Sequence, residues 1–193
     1  MSASSFWSGT VRGGAPSAEQ DASLAGMAAA GNLVRKVVEA LARGDEDRAR
    51  RLAAQAAARP FDEREEIWPG PWAAHYALFE LVTNMVEDWP EDDHAWVGAL
   101  AGLMGEVSGR QLDELRHLAA VLDQDAWLLG VDDSEASRLR ALAGDADASG
   151  EPADGVPEDE RAGYVLDLSR LVLLVRTRLE DLLLNGTAQE GGT

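Results

Sequence analysis

The sequence contains no cysteine, which excludes disulfide bonds, thiolate metal sites and cysteine nucleophiles. It is also poor in positive charge: Lys36 is the only lysine, and 17 basic residues stand against 35 acidic ones, for a formal net charge of -18. Nucleic acids and anionic membranes are bound by clusters of lysine and arginine. We therefore expect no nucleic-acid partner and no membrane partner, and the missing disulfides favour a cytoplasmic protein.

Long apolar runs and catalytic motifs are missing as well. The longest uninterrupted apolar stretches fall far short of the roughly 20 residues that a membrane-spanning helix needs. Residues 1–16 lack the basic start and apolar run of a secretory signal and are predicted to form a disordered tail. Glycine-rich phosphate loops, Gly-x-Ser-x-Gly and His-Glu-x-x-His do not occur. We therefore predict no catalytic residue, no metal and no cofactor.

The chain does have a clear helical pattern. Apolar residues make up 46% of it, which is enough for a sizeable core. They recur at the spacings of three and four that place side chains on one face of a helix, and strand-like alternation is absent. We predict an all-α fold, a bundle of about six or seven helices arranged as helical hairpins. Residues 17–143 are predicted to form the helical domain.

The helix ends are marked by residues with a preference for such positions. Ser17, Asp45 and Ser108 each precede an amphipathic segment, and their side chains can accept hydrogen bonds from the first free N–H groups of a helix. Pro71 and Pro90 suit the first turn of a helix, where a missing N–H group is harmless. These residues predict where five of the helices begin.

The C-terminal part is predicted to be a helix on a flexible connection. Residues 144–157 are rich in glycine, aspartate and alanine, so we predict a flexible acidic linker. A helix is predicted over 158–185, and residues 186–193 are predicted to be disordered. The predicted oligomerisation surface is the apolar stripe of this helix: Tyr164, Leu168, Leu171, Val175, Leu179 and Leu182. The stripe can pack on its own domain or on the same helix of a second chain; we predict a homodimer.

Aromatic residues next to acids predict a surface for a protein partner. Trp68 and Trp72 flank a short proline- and glycine-containing turn, and Glu63, Glu65 and Glu66 precede it. Tryptophan is enriched at the energetic centres of protein interfaces, and acidic residues attract a basic partner. The alternative is that the tryptophans fill the core.

His75 shares a helical face with the aromatic residues Phe79 and Trp89, and Trp96 follows in the next predicted helix. These four residues predict either a ligand pocket, in which His75 is a general base or a ligand contact, or a core histidine with one nitrogen bonded.

Two Glu-x-x-His pairs, Glu91 with His94 and Glu114 with His117, resemble in spacing the ligand pairs of di-metal helical bundles. At about 100° per residue, however, His117 points away from the apolar stripe that contains Leu115. We therefore predict that both pairs lie on solvated faces and bind no metal.

Taken together, these features predict an acidic, all-helical interaction or regulatory module that binds a protein partner and is not an enzyme. Two alternatives stay open. One is an inhibitor or nucleic-acid mimic that acts on a protein with a basic groove. The other is a cofactor-free helical enzyme or small-molecule-binding protein that uses the aromatic surroundings of His75.

Overall fold

A computed structural model of the chain describes residues 18–63, 65–87, 89, 94–126, 129–146, 148, 153 and 155–190. Within these ranges the chain forms seven α-helices and no strand, which confirms the predicted all-α fold. The helices are α1 (Ala18–Ala42), α2 (Glu46–Ala57), α3 (Pro69–Glu87), α4 (Ala95–Glu106), α5 (Arg110–Gln124), α6 (Asp133–Ala143) and α7 (Arg161–Glu190). A 3₁₀ turn, Glu158–Glu160, leads into α7.

Side-chain caps and positive-φ glycines mark several of the helix ends. Asp45 caps α2 as predicted, since its side chain accepts a hydrogen bond from the Arg48 N–H at 3.1 Å. The N-cap of α5 is Gly109, at φ 55°, and the prediction of Ser108 at that position is wrong by one residue. Asp132 caps α6 with bonds from two backbone N–H groups, and the bond from the Glu135 N–H is the main cause that lowers the pKa of Asp132.

The predicted helix starts differ from the observed ones by a few residues. α3 begins at Pro69, two residues before the predicted Pro71, so both prolines lie in its first turn. α4 begins at Ala95. Ser17 and Pro90 lie outside the described residues.

α7 lies at the centre of the fold, because it packs against α1, α2 and α3 and also contacts α4 and α5. It contributes to both large groups of buried residues. The main core includes Leu78, Val82, Trp96, Leu100, Leu103, Leu115, Leu122, Leu171, Val175 and Leu179. A second core includes Ala30, Val34, Ala49, Ala53, Ala56, Ala74, Tyr164, Val165 and Leu168. Among the described residues, no helix combines the length and the apolar character that crossing a membrane requires.

The stripe that was predicted to pair two chains is buried inside one chain. Its almost fully buried members are Tyr164, Leu168, Leu171, Val175 and Leu179. Leu182 is half-buried and packs against the main core. The physical reason is that the stripe covers the apolar faces of several helices at once, which a free α7 would leave in water. Packing within the chain is therefore the alternative that the structure adopts, and a homodimer stays a prediction that this stripe no longer supports.

Two residues of the predicted acidic linker contact the core. Ala153 and Val156 are buried in the second core, together with Tyr164 and Val165 of α7. Isolated small apolar residues in an acidic segment have no helical or strand period, which is why the sequence did not predict this contact.

α2 and α3 approach each other very closely. α2 presents Ala49, Ala53 and Ala56 to the second core, and small side chains permit close packing. At the start of α3, Gly70 lies so near that a Cβ atom there would overlap the carbonyl oxygen of Ala56. Glycine at this position is therefore a packing requirement.

We predict opposite effects for two Gly→Ala substitutions. Gly70→Ala should lower the free energy of unfolding by about 1–3 kcal/mol, because the new methyl group collides with backbone that cannot yield. Gly102→Ala, at an exposed position inside α4 with open space around it, should raise the free energy by up to about 1 kcal/mol through helix propensity. Urea denaturation followed by circular dichroism measures both. Equal effects of the two substitutions would contradict the close approach of α2 and α3.

Candidate functional site

A tight turn between α2 and α3 brings two aromatic rings together. Asp62 and Ile67 form an antiparallel bridge, with N–H···O distances of 2.9 and 3.3 Å, and Asp62 Oδ1 also accepts from the Glu65 N–H. The flanking residues Phe61 and Trp68 are thereby placed side by side, with ring centroids 5.1 Å apart. Phe61 is 40% exposed to water.

The predicted partner-binding acids lie on this same turn. Glu63, Glu65 and Glu66 are all exposed. Glu66 has a φ of 55°, a left-handed conformation that is uncommon for a residue other than glycine and is found more often at functional sites. We call residues 61–63 and 65–68 the aromatic–acidic turn.

Trp72 lies one helical turn beyond Trp68, in α3. Its ring stacks on that of Tyr76, with centroids 5.0 Å apart and planes 7° from parallel. Both tryptophans of the predicted surface are half-buried, so each is partly packed and partly exposed to water. The structure thus brings the predicted partner-binding residues to one end of α3.

The predicted pocket residues divide between the core and a polar cluster. Trp89 and Trp96 are buried in the main core, and Phe79 packs against it. His75 instead makes a hydrogen bond from Nδ1 to Glu114 Oε2 of α5, at 2.8 Å. One bonded nitrogen is what the core-histidine alternative predicts, and a role of His75 in ligand binding stays a prediction.

Glu114 is the centre of a polar cluster that joins three helices. Its side chain is 1% exposed, and it accepts hydrogen bonds from His75 of α3 and from the Tyr164 hydroxyl of α7. His117 lies one turn further along α5. The centroid of its ring is 5.3 Å from the centroid of the His75 ring. A buried carboxylate requires such donors, because burial removes the water that would otherwise solvate its charge.

The prediction that Glu114 and His117 lie on a solvated face is wrong, since both are buried. The helical-wheel argument assumed that α5 is covered on one side only. In the structure Leu115 and Leu122 face the main core, while Ala119 and Ala120 form a third cluster with residues of α6 and the segment after it. Most of the circumference of α5 is therefore covered. His94 is half-buried, and Glu91 lies outside the described residues.

The cluster fixes the position of the His75 ring. Nδ1 of His75 and Oε2 of Glu114 share a hydrogen bond of 2.8 Å, which sets the direction in which the ring points. Within the described residues, no group of three or more histidine, aspartate or glutamate side chains is arranged to hold a metal ion. The arrangement therefore offers an oriented histidine and a set of buried hydrogen bonds that link three helices.

We predict that the Tyr164 hydroxyl stabilises the fold. Tyr164→Phe keeps the ring and removes one of the two side-chain donors to a buried carboxylate, so the free energy of unfolding should fall by about 1–3 kcal/mol. The only other tyrosine supplies a matched control: Tyr76 is half-buried, its ring stacks on Trp72, and its hydroxyl has no hydrogen bond to any described residue. Tyr76→Phe should change the free energy by less than about 0.5 kcal/mol. If Tyr164→Phe were as stable as the parent protein in urea, the hydrogen bond from Tyr164 to Glu114 would not stabilise the fold.

No family model, no curated protein and no solved structure matches this chain. A functional assignment therefore rests on the chemistry of the residues described above.

Proposed function

We propose that this protein is a partner-binding module that recognises a basic segment of another protein through the aromatic–acidic turn. The observation that carries the proposal is the exposed ring of Phe61, supported from behind by Trp68 and surrounded by exposed acids. A rigid aromatic anchor inside a charged rim is the arrangement that concentrates binding energy in protein interfaces.

The contacts that hold Phe61 and Trp68 support this role. Phe61 and Trp68 are fixed by the bridge between Asp62 and Ile67, and the Trp68 ring is held by the guanidinium group of Arg161, 3.3 Å from its centroid. A surface that is already ordered loses little conformational entropy when a partner binds, which favours affinity.

The charges of the turn support a basic partner. Elsewhere on the surface, Glu46 is paired with Arg170 and Asp123 with Arg140. Glu63 and Glu66, in contrast, have no ion pair within the described part of the chain and keep their negative charge available. Together with the net charge of -18, they would speed the approach of a positively charged partner and make binding sensitive to salt.

Affinity capture with matched variants tests this function. The full chain is immobilised, exposed to an extract of the cells that produce it, and the retained proteins are quantified by mass spectrometry. We expect a basic protein whose retention falls at least about tenfold with Phe61→Ser, because an anchor of this kind contributes more than about 1.4 kcal/mol. The double change Glu63→Gln with Glu66→Gln should weaken retention and its dependence on salt.

Two control variants remove a similar apolar side chain or the same number of charges at places away from the aromatic–acidic turn. Leu24→Ser removes another exposed apolar side chain, and Glu39→Gln with Glu180→Gln removes two exposed charges at other places. Neither control should change retention. Recovery of nucleic acid or lipid alone, or retention that responds equally to Leu24→Ser and Phe61→Ser, would contradict the proposal.

A further inference from the structure

Arg161 is a buried cation that has no ion pair among the described residues. It is the first residue of α7, it is 8% exposed, and its guanidinium carbon lies 3.3 Å from the centroid of the Trp68 ring. Within the described part of the chain, its side chain makes no ion pair, and the buried Nε–H group has no hydrogen-bond acceptor.

This is unusual in a chain so rich in acids. Arg140 is bonded to Asp123 and Arg170 to Glu46, although these arginines are exposed to water and have less need of a partner. Arg161, which burial has largely removed from water, makes no ion pair with any carboxylate of the described residues. Contact with an aromatic face offsets part of the loss of hydration but supplies no acceptor for the N–H groups.

The geometry of the guanidinium group defines the acceptor that it needs. Its N–H groups lie in one plane and form a fork that matches the two oxygens of a carboxylate. Because Trp68 covers one flat face, an anion must approach at the edge of that plane. The ring of Phe61, which is 40% exposed, packs against the same Trp68 ring.

The surrounding acids limit the charge of the ligand. The 3₁₀ turn Glu158–Glu160 directly precedes Arg161 and is exposed, and Glu66 lies near Trp68 in the aromatic–acidic turn. A doubly charged phosphate or sulfate is repelled by such neighbours more strongly than a singly charged ion. We propose that Arg161 and Trp68 form a binding site for a carboxylate with one negative charge, brought either by a small organic acid or by the C-terminus of a peptide. The site does not depend on the proposed function, since it requires no protein partner at Phe61.

Nuclear magnetic resonance can observe the unpaired group directly. In the ¹⁵N-labelled full chain, the Nε–Hε signal of Arg161 is assigned from the parent protein by through-bond correlation and checked by its loss in Arg161→Lys. Sodium benzoate is the probe, benzamide is its uncharged equivalent, and sodium chloride controls for ionic strength. We expect a saturable shift of the Arg161 signal with benzoate, at least about tenfold larger than that of the exposed Arg35, and none with benzamide.

A second arm distinguishes the two sources of the carboxylate. A short peptide ending in phenylalanine is compared as free acid and as C-terminal amide. Binding of the free acid at least about tenfold tighter than benzoate assigns the site to a peptide terminus; tighter binding of benzoate assigns it to a small acid. Either result supports the carboxylate site.

Three results would overturn the carboxylate site. One is the absence of a saturable shift up to about 50 mM of either carboxylate. The second is an equal response to benzoate and benzamide. The third concerns Glu151 and Asp154, two acids of the segment 144–157 that lie outside the described residues. A shift of the Arg161 signal in Glu151→Gln or Asp154→Asn without any ligand would mean that the carboxylate belongs to the chain itself. All three leave the proposed capture of a partner through Phe61 untouched, so the two proposals fail independently.

Discussion

The burial of α7 is the constraint on which the rest of the structure depends. Its apolar stripe contributes to both large cores, and Leu171 at the middle of the stripe is fully buried. Without α7, the apolar faces of α1, α2 and α3 would be exposed to water, a large loss for a chain of 193 residues. The same docking places Tyr164 against Glu114 and Arg161 against Trp68, so the candidate sites exist only in the packed state.

Glu114 adds specificity to this apolar packing. Apolar contacts are non-directional and tolerate small shifts of one helix along another. A buried carboxylate is different, because it must have its donors in place or bear the full penalty of desolvation. The bonds from His75 and Tyr164 therefore fix the register of α3 and α7 relative to α5. The aromatic–acidic turn is fixed as well, because it leads directly into α3 and because Arg161 of α7 covers Trp68.

Features that are local in sequence could be predicted, and features that depend on distant partners could not. The periodic apolar pattern predicts the helices, and the Asp45 cap is where its side-chain chemistry places it. The grouping of Phe61, Trp68 and the acids follows from their closeness along the chain. The burial of Glu114, by contrast, depends on donors 39 and 50 residues away, and on coverage of α5 from two sides. A single helical wheel cannot show the second side.

Hydrogen exchange of the backbone amides in α7 tests most directly whether this helix is the central support of a single chain. The account predicts that amides of residues 164–179 exchange as slowly as the whole molecule unfolds, at a rate that does not change with protein concentration. Rapid exchange in this segment while the other helices stay protected would contradict the account. Protection that increases with protein concentration would contradict it as well, because α7 would then be buried between chains.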